Sequence, residues 1–256
     1  MKKIIISHGD KGGVGKSIVA TVLVEALVTG GHPIHPIALI EGDASQPDVG
    51  MRYIGHEDHG ITLGALPLSR AGAADAAVAD LSYYLEKSAA DRDVIINLPA
   101  GAGETLDALA GSLAAVADAL GFTLYATYSL GKGEAPAKGL AKSLESGLMS
   151  VIDPHRRIVL FPAFQGAPET FAWAHSPVRA QMAHGLAWHE AIFPVLAPVT
   201  VFNKFLNARG TWTEVRESGA LMVYDRIAIG RWLSNATKAL ESILAPVLAT
   251  NDAPQD

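Results

Sequence analysis

Residues 7 to 19 read SHGDKGGVGKSIV, a run in which two lysines bracket a cluster of glycines and a serine follows the second lysine. Glycine permits the left-handed dihedrals that turn successive backbone N–H groups toward one point, and the N-terminus of a following helix adds partial positive charge. Such a loop binds phosphate. Gly12, Gly13, Val14, Gly15, Lys16, Ser17 and Ile18 are the candidate cradle, with Lys16 reaching the β and γ phosphates of a nucleotide and Ser17 offering its hydroxyl to Mg²⁺. The generic pattern G-x-x-x-x-G-K-[ST] is not met, because its first position falls on Asp10. The longer pattern K-G-G-x-G-K-S is met, and its extra lysine is Lys11.

A phosphate loop needs a strand before it and a helix after it, and the rest of the chain supplies that pattern repeatedly. Short β-branched runs at Lys3 to Ser7, Ile37 to Glu41, Val94 to Leu98, Phe122 to Tyr128, Arg157 to Phe161 and Ala191 to Pro194 read as strands buried on both faces. Helices are expected at Ser17 to Thr29, Ala73 to Ser88, Thr105 to Leu120, Ala135 to Met149, Glu169 to Glu190 and Ile229 to Leu248, the last bent or ended by Pro246. The alternation predicts a doubly wound α/β fold: a mostly parallel sheet with helices on both faces. Residues 1 to 256 are expected to form one nucleotide-binding domain with a polar tail from about residue 249.

The loop resembles the deviant Walker A motif of the ParA/MinD family of P-loop ATPases, which partition DNA or position division and transfer machinery. That resemblance implies ATP and Mg²⁺ as ligands and a homodimer formed around the nucleotide. Lys11 would then reach the phosphates bound by the partner subunit. The segment ALIEGDASQPDVG resembles the family's switch I, which puts Asp43 in the role of catalytic aspartate and helper of the metal's hydration shell. Glu41 and Asp48 read as solvated or structural charges. DRDVIINLPAGAG resembles the Walker B and switch II region, with Pro99, Gly101 and Gly103 in place, but Asn97 stands at the acidic position. An amide can accept a hydrogen bond from a metal-bound water but adds no charge, so nucleotide binding is expected and hydrolysis is expected to be slow. After the strand RRIVLFPAFQG, Gln165 either hydrogen-bonds the adenine edge or sits in the loop. FNK at Phe202 to Lys204 starts like a guanine-reading motif, but Leu206 replaces its aspartate, which disfavours GTP. The plasmid-stability and conjugation-associated branch (StbB-like) is most similar around SHGDKGGVGKS and IEGDASQPDVG.

Composition bounds the rest. The 256 residues are 49% hydrophobic and contain no cysteine, which removes disulfides, thiolate metal sites and cysteine nucleophiles, and with them the iron–sulfur relatives of the family. A cytoplasmic location fits. A net charge of −6 argues against a wholly basic nucleic-acid binder, while Lys132, Lys138, Lys142, Arg156 and Arg157 could form a local DNA-contacting patch. The C-terminal segment has too few cations for membrane attachment and should dock on the sheet. The nine histidines lack helical zinc-pair spacing and read as surface or loop residues. Trp173, Arg179, Met182 and Trp188 read first as core and second as a partner surface. The expected partners are a second copy of the chain and a plasmid-encoded protein. The competing readings are a non-hydrolysing ATP-dependent adaptor and an ATP-dependent ligase or kinase on the same scaffold.

Overall fold

Seven strands, each hydrogen-bonded in parallel to its neighbours, carry the molecule. The computed structural model describes residues 2–9, 11–29, 32–42, 48–68, 74–182 and 189–249. The chain runs β1 (Lys2–His8), α1 (Lys16–Ala26), β2 (Ile37–Glu41), β3 (Ile61–Ala65), α2 (Ala74–Lys87) and β4 (Asp93–Asn97). It continues α3 (Ala102–Ala108), α4 (Ala110–Ala119), β5 (Phe122–Ser129), α5 (Glu134–Ser146), α6 (Leu148–Val151), β6 (Arg157–Pro162), α7 (Pro177–Met182) and β7 (His189–Phe193). Helices α8 (Val199–Asn207), α9 (Trp212–Glu217), α10 (Val223–Ala239) and α11 (Glu241–Ala249) close it. The sheet order is β3-β2-β4-β1-β5-β6-β7.

Strand side chains alternate between two buried layers. Ile4, Ile6, Ile40, Val94 and Ile96 pack under α2 to α6, whereas Ile5, Ile37, Leu39 and Ile95 pack under α1 and α8 to α11. This is the doubly wound α/β arrangement expected from the alternation. The chain leaves β1 toward one sheet edge and returns to cross to the other through β5, so β1 sits where the order reverses, and crevices outside the carboxyl ends of strands at such a point are ligand sites. Among the described residues no helix is long and apolar enough to cross a membrane, and α10 and α11 bury Ile229, Trp232, Leu233, Ile243 and Leu244 against the sheet.

Several expected elements differ. β3 is not foreseen by the sequence pattern, because Gly64 interrupts its apolar run; a Cβ there would lie 2.7 Å from the Tyr84 ring, so the strand needs its glycine to pair beside α2. The helix expected over Glu169 to Glu190 is absent from the described part of that span, which consists of 3₁₀ turns at Pro168–Thr170 and Ala172–His175 followed by α7 and the start of β7. Trp173 there is fully buried and its indole N–H donates to Glu190 at 3.0 Å, so it belongs to the core and not to a surface. Trp188 lies outside the described residues. The expected helix over Ala135 to Met149 breaks at Gly147, whose extended backbone lets the Asp107 carboxylate stand where a Cβ would be and accept from the Leu148 N–H at the start of α6. Thr105 to Leu120 is likewise two helices, α3 and α4. Pro246 lies inside α11 without ending it; the break comes at Leu240, between α10 and α11. Arg157 is buried and donates to the Met149 carbonyl, so it adds nothing to a surface patch.

Candidate functional site

The loop between β1 and α1 has the geometry its glycines allow. Gly13 and Gly15 adopt φ of 74° and 96°, values at which a Cβ is strained. Gly15 caps α1 without a side chain, and no acidic residue stands in the helix's first turn, so no side chain of the cap or first turn offsets the positive end of the helix. The Ser7 hydroxyl donates to the Lys16 carbonyl at 2.9 Å and fastens the helix start to the end of β1. Lys16 is 6% exposed, and its ammonium donates to the Lys11 carbonyl at 2.8 Å. Lys11 itself is exposed at the loop's edge.

The sheet register places a second set of polar groups beside this loop. Glu41 of β2, Asn97 of β4 and Ser7 of β1 are paired in one row across three neighbouring strands. Their alternation parity matches Ile5, Leu39 and Ile95, so all three face the α1 layer. The Asn97 amide donates to Glu41 Oε2 at 2.8 Å and approaches Ser17 Oγ at 3.4 Å. Glu41 Oε1 accepts from the N–H groups of Val49 (2.8 Å) and Gly50 (2.5 Å). Burial holds the Glu41 carboxyl above its ordinary pKa, with the bonds from Asn97, Gly50 and Val49 opposing that shift. The Asn97 carbonyl oxygen is buried and accepts no hydrogen bond from the described residues. The Asn97 NH₂ faces Ser17 and Glu41, so the amide must turn over for its carbonyl oxygen to join the serine hydroxyl and the carboxylate in an all-oxygen donor set of the kind that suits a hard hydrated cation.

Of these groups Ser17 and Asn97 open into a cleft of about 730 Å³, with Glu41 and Ser7 buried behind them. Gly12, Gly13, Gly15, Lys16, Ser17, Ile18, Asp48 and Asn97 line one end. The Phe164 ring lies against Gly15, and Phe193, Val195, Val199, Phe202 and Trp232 line the rest, where the Trp232 indole N–H donates to the Pro194 carbonyl at 2.9 Å. Of the remaining sequence candidates, Val14 is buried beneath the loop, and Gly101 caps α3 outside the cleft with φ of 79°. Gln165 accepts from the Lys132 N–H at 3.0 Å and does not line the cleft, while its neighbour Phe164 does. Asp10 and Asp43 lie outside the described residues. Glu41, which by sequence reads as a structural charge, is the acidic group next to Asn97. Its strand parity is the signal that could mark it, since residues at even spacing from Ile37 share one buried face.

No family model matches the chain, and no curated protein sequence does. Among solved structures the chain is similar to a nucleotide-binding protein in complex with ADP from Archaeoglobus fulgidus, with a TM-score of 0.46 and 11% identity over 80% of this chain and 86% of that one.

Proposed function

We propose that this chain binds ATP with Mg²⁺ in the cleft and works as a nucleotide-dependent dimerisation switch of the ParA/MinD type, serving plasmid stability, partition or conjugative transfer. The observation that carries the reading is the convergence in one cleft of the glycine loop with Lys16, Ser17 and Asn97, the last backed by a hydrogen bond to the buried Glu41. Lys16 and the N–H groups of Gly12 to Ser17 would hold the phosphates. Ser17 Oγ and the Asn97 carbonyl oxygen would hold the hydrated Mg²⁺, with Glu41 supplying the negative charge that an amide at position 97 lacks. The metal, when bound, neutralises charge on the β and γ phosphates. Asp43 is proposed to orient the attacking water, and the aromatic end of the cleft to receive the base. Lys11, exposed at the rim, is proposed to act on the nucleotide of a second copy.

The neutral Asn97 also favours a second reading, an adaptor that binds ATP and does not turn it over. Sedimentation with a non-hydrolysable ATP analogue and Mg²⁺ tests the switch. The wild type is expected to dimerise and Lys11→Ala to bind nucleotide with unchanged affinity while remaining monomeric. A monomeric wild type saturated with nucleotide overturns the switch, and single-turnover hydrolysis in the dimer separates it from the adaptor.

A further inference from the structure

By sequence, His56 and His59 read as ordinary loop residues. The fold instead brings both to one carboxylate from the far end of the chain, Glu214 of α9. His56 Nε2 lies 2.7 Å from Glu214 Oε2, and His59 Nδ1 lies 3.4 Å from Glu214 Oε1. One nitrogen from each ring and a carboxylate oxygen all fall within 4.8 Å of one another. A tetrahedral ion with ligand bonds of about 2.0 to 2.1 Å has ligand–ligand edges of about 3.3 to 3.4 Å, so on binding the His56–Glu214 contact of 2.7 Å must open and the wider pairs, which reach no further than 4.8 Å, must close through side-chain rotation. Two imidazoles on one carboxylate also supply more donor nitrogen than a single ion pair uses.

The backbone around the cluster is fixed on both sides. His56 precedes a 3₁₀ turn (Glu57–His59) whose flanks are tied by Ile61 N–H to His56 and by His56 N–H to Tyr53. Glu214 is held by the capping box of α9, its Oε2 accepting from the Thr211 N–H at 2.7 Å and the Thr211 hydroxyl at 2.9 Å. The two segments share a buried anchor, because Glu25 accepts from the Tyr53 hydroxyl at 2.9 Å and from the Trp212 N–H at 2.8 Å. The other ring nitrogen of His56 faces the Ile54 carbonyl at 3.4 Å, an arrangement that presents Nε2 as the ligand atom. The side chains of His56, His59 and Glu214 are 14%, 42% and 37% exposed, so an ion can enter from solvent and keep a fourth position open to it.

We propose that His56, His59 and Glu214 bind a borderline divalent transition-metal ion of the Zn²⁺ type. Two nitrogens and one oxygen suit such an ion better than Mg²⁺ or Ca²⁺, which take oxygen. The ion would staple the segment that begins at the cleft residue Asp48 to the turn between α8 and α9. The site stands apart from the proposed nucleotide site and does not depend on it.

Calorimetric titration of Zn²⁺ into the chelator-stripped full chain tests the proposal, alongside His59→Ala and Glu214→Gln. Glutamine still serves the capping box, so the second variant keeps the fold of α9 if the first does not. The wild type is expected to bind Zn²⁺ at one site about 10- to 100-fold more tightly than either variant, and its thermal midpoint to rise with Zn²⁺ while that of a folded variant does not. Co²⁺ in the same site is expected to give a four-coordinate visible spectrum without thiolate bands, since the chain has no cysteine. Equal Zn²⁺ affinity in the wild type and in a folded variant, or no one-site binding by the wild type, overturns the proposal.

Discussion

The two ends of the cleft are built by different means. At the loop end, polar groups from β1, β2 and β4 are set by strand register and buried: Glu41, Asn97 and Ser7 occupy one row of the sheet, Asn97 bonded to Glu41 and Ser7 to the Lys16 carbonyl. At the aromatic end, side chains from β7, the segment after it, α8 and α10 meet by packing, and the bond from Trp232 to Pro194 is made to a backbone carbonyl. Register fixes positions to a fraction of an ångström and suits charge, whose energy depends steeply on distance inside a protein. Packing suits a flat apolar group whose orientation matters less. Affinity should therefore be concentrated at the first end, and tolerance at the second.

The sharpest way to break that contrast is Lys16→Ala. Losing a buried ammonium from the phosphate end is expected to weaken ATP binding about 100-fold or more, because charge-assisted bonds contribute about 1.5 to 3 kcal/mol each. Titration with a fluorescent ATP analogue reads it, and near-wild-type affinity would remove the loop from the site. Next comes Asn97→Asp. The new carboxylate would stand beside Glu41, where Asn97 now donates at 2.8 Å, and the like charges are expected to destabilise the nucleotide-free protein by about 1 to 3 kcal/mol. Thermal melts with and without ATP·Mg²⁺ should show an earlier midpoint and a larger gain on adding the complex. A variant that melts early and gains nothing from Mg²⁺ counts against a metal at this strand end.

Glu41→Gln probes the same pair from the other side. Because burial raises the folded-state pKa of Glu41, its favourable contribution is present below the unfolded value near 4.5 and is lost as pH rises through the folded value. Glutamine never ionises and keeps the bonds from Val49 and Gly50 if the Asn97 amide turns over to accept from it, so the midpoint of the nucleotide-free variant relative to wild type is expected to be higher at pH 7 than at pH 4, while Mg²⁺-dependent nucleotide binding weakens. An unchanged Mg²⁺ dependence would return Glu41 to a purely structural role. The smallest effect belongs to the aromatic end: Phe202→Ala is expected to weaken ATP and ADP alike by about 3- to 10-fold, the scale of one lost ring contact, without altering the response to Mg²⁺. A greater loss for ATP than for ADP would mean that the two ends are not separate.

Legibility in the sequence follows the same division. The glycine loop is contiguous, and its dihedral demands are written residue by residue, so Gly12 to Ser17 can be recognised from the chain alone. The interior strands are equally plain, since burial on both faces leaves little but Val, Ile and Leu. Parity along β2 marks the buried face of Glu41 but not its neighbour, because its pairing with Asn97 depends on β2 lying beside β4, a relation between residues 56 positions apart. Trp173 misleads for a related reason: aromatic residues near helical spacing suggest one long helix, whereas a hydrogen bond to Glu190 and full burial hold that chain in short turns. His56, His59 and Glu214 are invisible for the same cause, two ligands in one loop and the third supplied from α9.

The bond from the Lys16 ammonium to the Lys11 carbonyl joins the two lysines that bracket the glycine cluster. It makes the loop its own stand-in for a phosphate: an oxygen already faces the buried charge, so a ligand exchanges one oxygen for another and need not draw the side chain out of water. The same exchange releases the carbonyl of Lys11. If the proposed function holds, whatever takes hold of the second lysine would unlatch the backbone of the first, and the rim residue's freedom to reach outward would report on whether the loop is filled.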